Sequence, residues 1–382
     1  MKQILLLLLY MTLASVSCSQ RDTDSEACPD ASPVRYGVRE LSSSPRCPQG
    51  EEPLFYNIWR AHLLEDETLV VLDRGDYSIK HVTLQGTILR SFGGKGSGPG
   101  EFRNFTASGI VSSEMVMIVD INNMRSTCVG LNDNSVETFS LSDMLVEDGV
   151  EIPFAVTDNG HIILYIAQYQ EDTGHITGNT RIYHILEITR EGKRVREFIQ
   201  LRDDFRNQRL RLDSGTRQFT SPFAPNLAQL VHGHLLYLHM SLDYRIHVFN
   251  LDTGQQLPDI QVDSPKMAVT RNDVIEVIGL ERFQQNQGLF EIPETRSFVR
   301  SLTLIDSNGY LWILRYPSSL GAEAPSAGEK HYDLLDPETG QIIGSVRTPN
   351  VRAIGEHNRV LYAWSNSIAD QGILLKYALD HY

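Results

Sequence analysis

A module of four short β-runs recurs along the chain, its final copy falls one run short, and an unused β-run opens the folded part. Together these predict an all-β fold, a six-bladed β-propeller closed by an N-terminal strand. A run here is a stretch rich in Val, Ile, Leu, Thr and aromatic residues, bounded by turn residues.

The opening run covers residues 34–41, where Val34, Tyr36 and Val38 alternate with Arg35, Gly37 and Arg39 as in a half-buried strand. Inner runs follow at 57–63, 106–111, 154–157, 226–231, 301–305 and 351–355. The first is succeeded by 68–73, 79–84 and 87–92, the second by 115–120, 126–131 and 136–141. The third continues with 161–166, 181–189 and 195–201, the fourth with 234–240, 245–251 and 256–262, and the fifth with 310–315, 330–335 and 342–348. The sixth has only 360–365 and 372–379. Residues 34–41 are expected to supply its missing outer strand, because an open edge leaves backbone N–H and C=O groups unpaired.

The chain has 382 residues and a formal net charge of −14. That balance argues against a nucleic-acid partner, which needs a basic face. It argues equally against a polybasic hold on a membrane surface. A cationic ligand or a metal ion is permitted.

The N-terminus reads as an export signal. Lys2 precedes an apolar run from Ile4 to Leu9 that continues to Ala14, too short to span a bilayer. Ser15 and Ser17 are small residues before Cys18, and the order Leu13-Ala14-Ser15-Val16-Ser17-Cys18 resembles a bacterial lipoprotein signal. That resemblance implies lipidation of Cys18 and leaves the membrane reached through the lipid anchor only. It departs from the usual pattern at Ser15, where Leu is the rule, and ordinary cleavage after Ser17 also fits. The expected organisation is a signal peptide over 1–17, a polar tether over 18–32 and the propeller over 33–382. Cys28 and Cys47 are the candidate disulfide in an oxidising compartment, and Cys128 reads as a small buried hydrophobe.

Loop lengths are uneven between the two ends of the runs. Turns after the inner strands are tight, as at Asp158-Asn159-Gly160, His232-Gly233 and Asp306-Ser307-Asn308-Gly309. Long segments at 167–180, 202–225, 263–300 and 317–328 all fall at the opposite end. Insertions gathered on one face commonly mark a binding face. Arg74, Tyr77, Arg125, Tyr169, Tyr244, Arg245, Arg315 and Tyr316 lie at or beside connections on that face and are the candidate binding residues. Residues 273–285 carry apolar positions at helical spacing and predict a short helix laid on it.

Two stretches resemble a known family. One is Leu72-Asp73, Ile79-Lys80-His81-Val82 and Gly86, followed by Phe92-Gly93-Gly94-Lys95-Gly96-Ser97-Gly98-Pro99-Gly100-Glu101-Phe102. The other is Leu304-Ile305-Asp306-Ser307-Asn308-Gly309-Tyr310-Leu311-Trp312-Ile313. They resemble the six-bladed propeller lipoproteins of gut and environmental bacteria, relatives of NHL-repeat and TolB-like propellers. The resemblance spans roughly 33–382. It implies six blades and a location in the periplasm or at the outer membrane of a Gram-negative bacterium, but no activity.

No chemical motif stands out. Gly93-Gly94-Lys95-Gly96-Ser97-Gly98 lacks the spacing and the following helix of a phosphate loop, and no Cys/His cluster has zinc spacing. Two classes therefore remain. The first is a non-catalytic scaffold, without cofactor, that binds a peptide, a glycan or an envelope protein. The alternative is an enzyme of the six-bladed lactonase or lyase type, which would use a divalent metal in its central channel.

Overall fold

The computed structural model describes residues 34–44, 53–133, 135–144, 150–171, 179–203, 208–212, 215–219, 227–240, 244–262, 267–271, 275, 281, 284, 295–296, 299–315, 329–368 and 371–381. The chain divides into Met1–Pro33 and Val34–Tyr382. The signal peptide over 1–17, the tether over 18–32, Cys18, Cys28, Cys47 and Tyr316 lie outside the described residues.

The fold is all-β and propeller-like. Strand β1 is Val34–Ser43. Four four-stranded antiparallel sheets take up most of the chain. The first holds β2 (Ile58–Leu63), β3 (Leu69–Asp73), β4 (Ser78–Val82) and β5 (Ile88–Gly93). The second holds β6 (Ala107–Ser112), β7 (Met115–Asp120), β8 (Arg125–Gly130) and β9 (Val136–Ser140). The third holds β10 (Val150–Val156), β11 (Ile162–Glu171), β12 (Asn179–Ile188) and β13 (Arg194–Asp203). A hairpin of β14 (Gln208–Leu212) and β15 (Gly215–Phe219) leads to the fourth, β16 (Ala228–His232), β17 (Leu235–His239), β18 (Arg245–Asn250) and β19 (Gln256–Gln261). A short pair, β20 (Met267–Ala268) and β21 (Thr295–Arg296), intervenes. Then come β22 (Val299–Ile305), β23 (Leu311–Arg315), β24 (Glu329–Leu335) and β25 (Ile342–Pro349). The chain closes with β26 (Arg352–His357), β27 (Val360–Ile368) and β28 (Gln371–His381).

These last seven strands and β1 form one eight-stranded sheet in the order β22-β23-β24-β25-β1-β28-β27-β26. The N-terminal strand therefore pairs where the last module is one strand short. It runs antiparallel to β28 from Tyr36↔His381 to Ser43↔Leu375 and parallel to β25 from Val34↔Gly344 to Tyr36↔Val346.

The middle strands are buried on both sides because each sheet is covered by its neighbours. β3 and β4 are buried at every position, whereas the outer β5 alternates between exposed and half-buried residues. Six apolar cores lie between successive strand sets. One joins Val70 and Leu72 to Val116 and Ile118, and the last brings Leu69 and Val71 against Trp364 and Leu374, so the chain's ends meet. Cys128 is buried in the core that joins β6–β9 to β10–β12.

Buried carboxylates fix the connections. Asp73, at the end of β3, accepts from the backbone N–H groups of Tyr56 and Asn57 at 2.8 Å each and from Lys80 Nζ at 2.9 Å. Asp120 at the end of β7 repeats the device, accepting from the N–H of Arg103 at 2.8 Å. Glu356 accepts from Ser307 N at 2.8 Å and from Arg359 N, whose φ of 61° is left-handed.

Two long segments differ from the sequence expectation. Residues 167–171 and 179–180 are strand, since β11 and β12 stay paired as far as Glu171↔Asn179. Residues 202–225 contain the β14–β15 hairpin. Ile275, Glu281 and Gln284, the described residues of 273–285, are helical.

Candidate functional site

The strands β2, β6, β10, β16, β22 and β26 face one another around a cavity of 910 Å³. Its wall is made almost wholly of these inner strands. Besides the turn residues Asp158 and Gly233, the lining goes beyond them on one side, to Leu314 on β23, Lys330 and Tyr332 on β24, and Trp364 on β27. This off-axis lobe lies where β22–β24 meets β26–β27.

Four cations line the cavity: Arg60, Arg300, Lys330 and Arg352. All four sit near the starts of their strands, at the end where the longer connections emerge. Arg60 lies 4.8 Å from the Trp59 ring and Arg352 lies 4.8 Å from the Trp364 ring. Such stacking fixes a guanidinium plane and leaves its N–H edge open. Arg60 Nη1 makes only long contacts, 3.4 Å each, to the carbonyls of Ser108 and Phe154.

The four groups sense each other. Burial and then the nearby Arg352 bring Arg60 down to about 10. Burial, then Arg352 and Arg300, bring the Lys330 amine down to about 8, although it donates to the carbonyl of Val351. Among the described residues no carboxylate lies within ion-pair distance of any of the four. The acidic residues of the wall are Asp158 and Glu356, and both belong to the opposite, tight-turn end. His62 is also in the wall, its Nε2 2.9 Å from Ser108 Oγ, and burial followed by Arg60 pushes it down to about 3. It is neutral at physiological pH.

The residues expected from the sequence lie elsewhere, and none with a described side chain lines the cavity. Arg74 stacks 5.2 Å from the Trp59 ring and donates to the carbonyl of Phe105 at 2.9 Å. Tyr77 has a left-handed φ of 59° and packs on Phe105. Arg125 donates to the carbonyls of Ser97 at 3.0 Å, Gly98 at 2.8 Å and Glu101. Tyr244 is 5% exposed and donates to Asp333 at 3.4 Å. Arg245 donates to Gln261 at 3.1 Å on the surface, and Arg315 lies 3.5 Å from Asp333. Tyr169 is a strand residue paired with Arg181 rather than a loop residue.

The cavity cations carry a signal that the run-by-run reading passed over. An apolar residue followed by Arg stands at or near the start of three inner strands, as Trp59-Arg60, Val299-Arg300 and Val351-Arg352. Equivalent positions in a ring of repeats converge on the axis, so a dipeptide recurring there concentrates charge at one end. Among the described residues no three His, Cys, Asp or Glu side chains converge as metal ligands would.

No family model and no curated protein matches the chain. Solved structures of similar path include a DUF4221 family member from Bacteroides vulgatus, at 12% identity and TM-score 0.48 over 92% of this chain and 100% of that one. A candidate exported protein of Bacteroides fragilis is similar at 11% identity and TM-score 0.49 over 91% of this chain and 99% of that one. Catalytically inactive virginiamycin B lyase of Staphylococcus aureus, with quinupristin, is similar at 11% identity and TM-score 0.39 over 92% and 97%. Likenesses this distant say nothing of activity or ligand.

Proposed function

We propose that this chain is an exported six-bladed propeller, held at the cell envelope through Cys18, that binds an organic anion at one end of its central cavity. In the six-blade reading the eight-stranded sheet is two blades joined along β1, and the six interstrand cores are the six blade contacts. The observation that carries the ligand class is the set of four cations, Arg60, Arg300, Lys330 and Arg352, at one end of a 910 Å³ cavity whose two acidic wall residues, Asp158 and Glu356, stand at the other end. Like charges brought together at a folding cost are relieved by a ligand of opposite sign. This reading keeps the expectation of a binding protein and gives its ligand a charge.

Thermal unfolding with citrate, tripolyphosphate, glycerol and spermidine tests it. The anions should raise the melting temperature, and a ligand at about 100 times its Kd stabilises by roughly 2.7 kcal/mol. The R300A/R352A double variant should lose the response. Equal behaviour in citrate and glycerol would sink the anion reading. For the anchor, Cys18→Ala should move the protein to the soluble fraction, and unchanged membrane association counts against lipidation.

A further inference from the structure

Lys330 is set apart from the other cavity cations by chemistry and by place. It stands in the off-axis lobe, on a third strand, where every other cation of the wall belongs to an inner strand. The lobe's remaining wall is Leu314, Tyr332 and Trp364, with Leu304 and Ala353 from the inner strands beside it. One site thus combines an amine, two arginines and an apolar floor. An arginine pair recognises a carboxylate, an apolar floor accepts a short carbon chain, and an amine adds to a carbonyl.

We propose that the lobe captures a small oxo acid, a carboxylate bearing a nearby aldehyde or ketone, by forming an imine with Lys330. This rests on the anion reading above and names the ligand class. Arg300 and Arg352 seat the carboxylate. The free amine of Lys330 adds its lone pair to the carbonyl carbon, and the C=O π pair moves to oxygen. The resulting carbinolamine takes up a proton on its hydroxyl and loses water as the C=N bond forms. The two hydrogens of the amine are balanced by that water, and no oxidant or reductant takes part.

The same surroundings prepare the amine. Burial and the neighbouring Arg352 and Arg300 disfavour the ammonium form, and an amine titrating near 8 rather than 10.5 holds roughly 10²-fold more free base at neutral pH. The carbonyl of Val351 accepts from Lys330 and positions its nitrogen beside Arg352.

The test is reductive trapping. The protein is incubated with glyoxylate and cyanoborohydride at neutral pH, and adducts are assigned to the seven lysines by peptide mass. Lys330 should be labelled at least about tenfold faster than the exposed Lys193. Propionaldehyde, which lacks the carboxylate, should lose that preference, and excess citrate should suppress it. Lys330→Met should lose the preferred adduct while still unfolding cooperatively. Labelling of Lys330 no faster than Lys193, or equal preference with propionaldehyde, overturns the proposal. Citrate stabilisation of the unlabelled protein separates the two readings. If citrate still raises the melting temperature, only imine capture fails; if it does not, the anion site fails with it.

Discussion

The glycine-rich corner at residues 93–105 and the mouth of the cavity both concentrate cationic side chains, and they use them in opposite ways. At the corner the charges are engaged by the fold. Arg125 donates to three carbonyls of the segment, Asn123 adds a 3.0 Å bond to Gly96 O, and Glu101 accepts from Gly98 N at 2.8 Å. The glycines are there for proximity, since a Cβ on Gly96 would lie 2.0 Å from the Glu101 carboxylate. Beneath them Lys80 is paired with Asp73 at 2.9 Å. At the mouth Arg60, Arg300, Lys330 and Arg352 crowd one another, with no acid of the described residues within ion-pair distance. A cation satisfied by its own fold is a structural part, whereas a cluster left uncompensated at a cavity points to a ligand.

The largest test of the contrast is Asp73→Ala. It leaves Lys80 with Asp76 as its one remaining carboxylate at 2.9 Å and takes the acceptor from the backbone N–H groups of Tyr56, Asn57 and Gly75, and should cost about 3–5 kcal/mol in denaturant unfolding. A loss below ~1 kcal/mol would break the distinction. Arg125→Ala should come next, at roughly 1–3 kcal/mol, because it strips donors from carbonyls of a tight loop. Its melting temperature should fall while the citrate response is kept. Arg300→Ala should lie within about 0.5 kcal/mol of the parent protein, as an exposed cation removed from like neighbours does, yet it should weaken citrate binding measured by calorimetry.

The smallest effect is one of pH. The folded state brings Lys330 to about 8, below its ordinary 10.5, so the unfolded chain binds that proton more tightly. The resulting destabilisation is fully present below pH 8 and fades as the pH rises toward 10.5. Lys330→Gln should therefore gain stability at pH 7, and the gain should vanish by about pH 10. A gain independent of pH would locate the effect in packing.

The strands were legible because covered sheets need continuous apolar runs. The run at 34–41 appears as Val34–Ser43, and the inner run at 351–355 as Arg352–His357. Residues 167–180 were read as loop because Gln168, Gln170 and Glu171 are polar, but two long antiparallel neighbours satisfy each other's backbone whatever their side chains. The site was less legible. Arg125 and Arg315 look alike at strand ends, and what separates them from Arg352 is a partner distant in sequence or a backbone carbonyl. The net charge of −14 gave no hint of this cluster, because a sum over the surface hides a local group of the opposite sign.

The seat of β1 has a consequence in time. Of the described strands, Val34–Ser43 is the first to be made and its partner Gln371–His381 the last. Until that partner arrives, β1 has no antiparallel neighbour and presents an open edge that another chain can pair with. Closing a loop of this length is slow relative to the local hairpins. The nascent protein therefore passes through a stage in which most of its strands are paired but its seam is open. Dilute refolding should yield monomer where concentrated refolding yields strand-exchanged dimers. The stitch that makes the finished fold hard to open is also the step at which its assembly is most exposed.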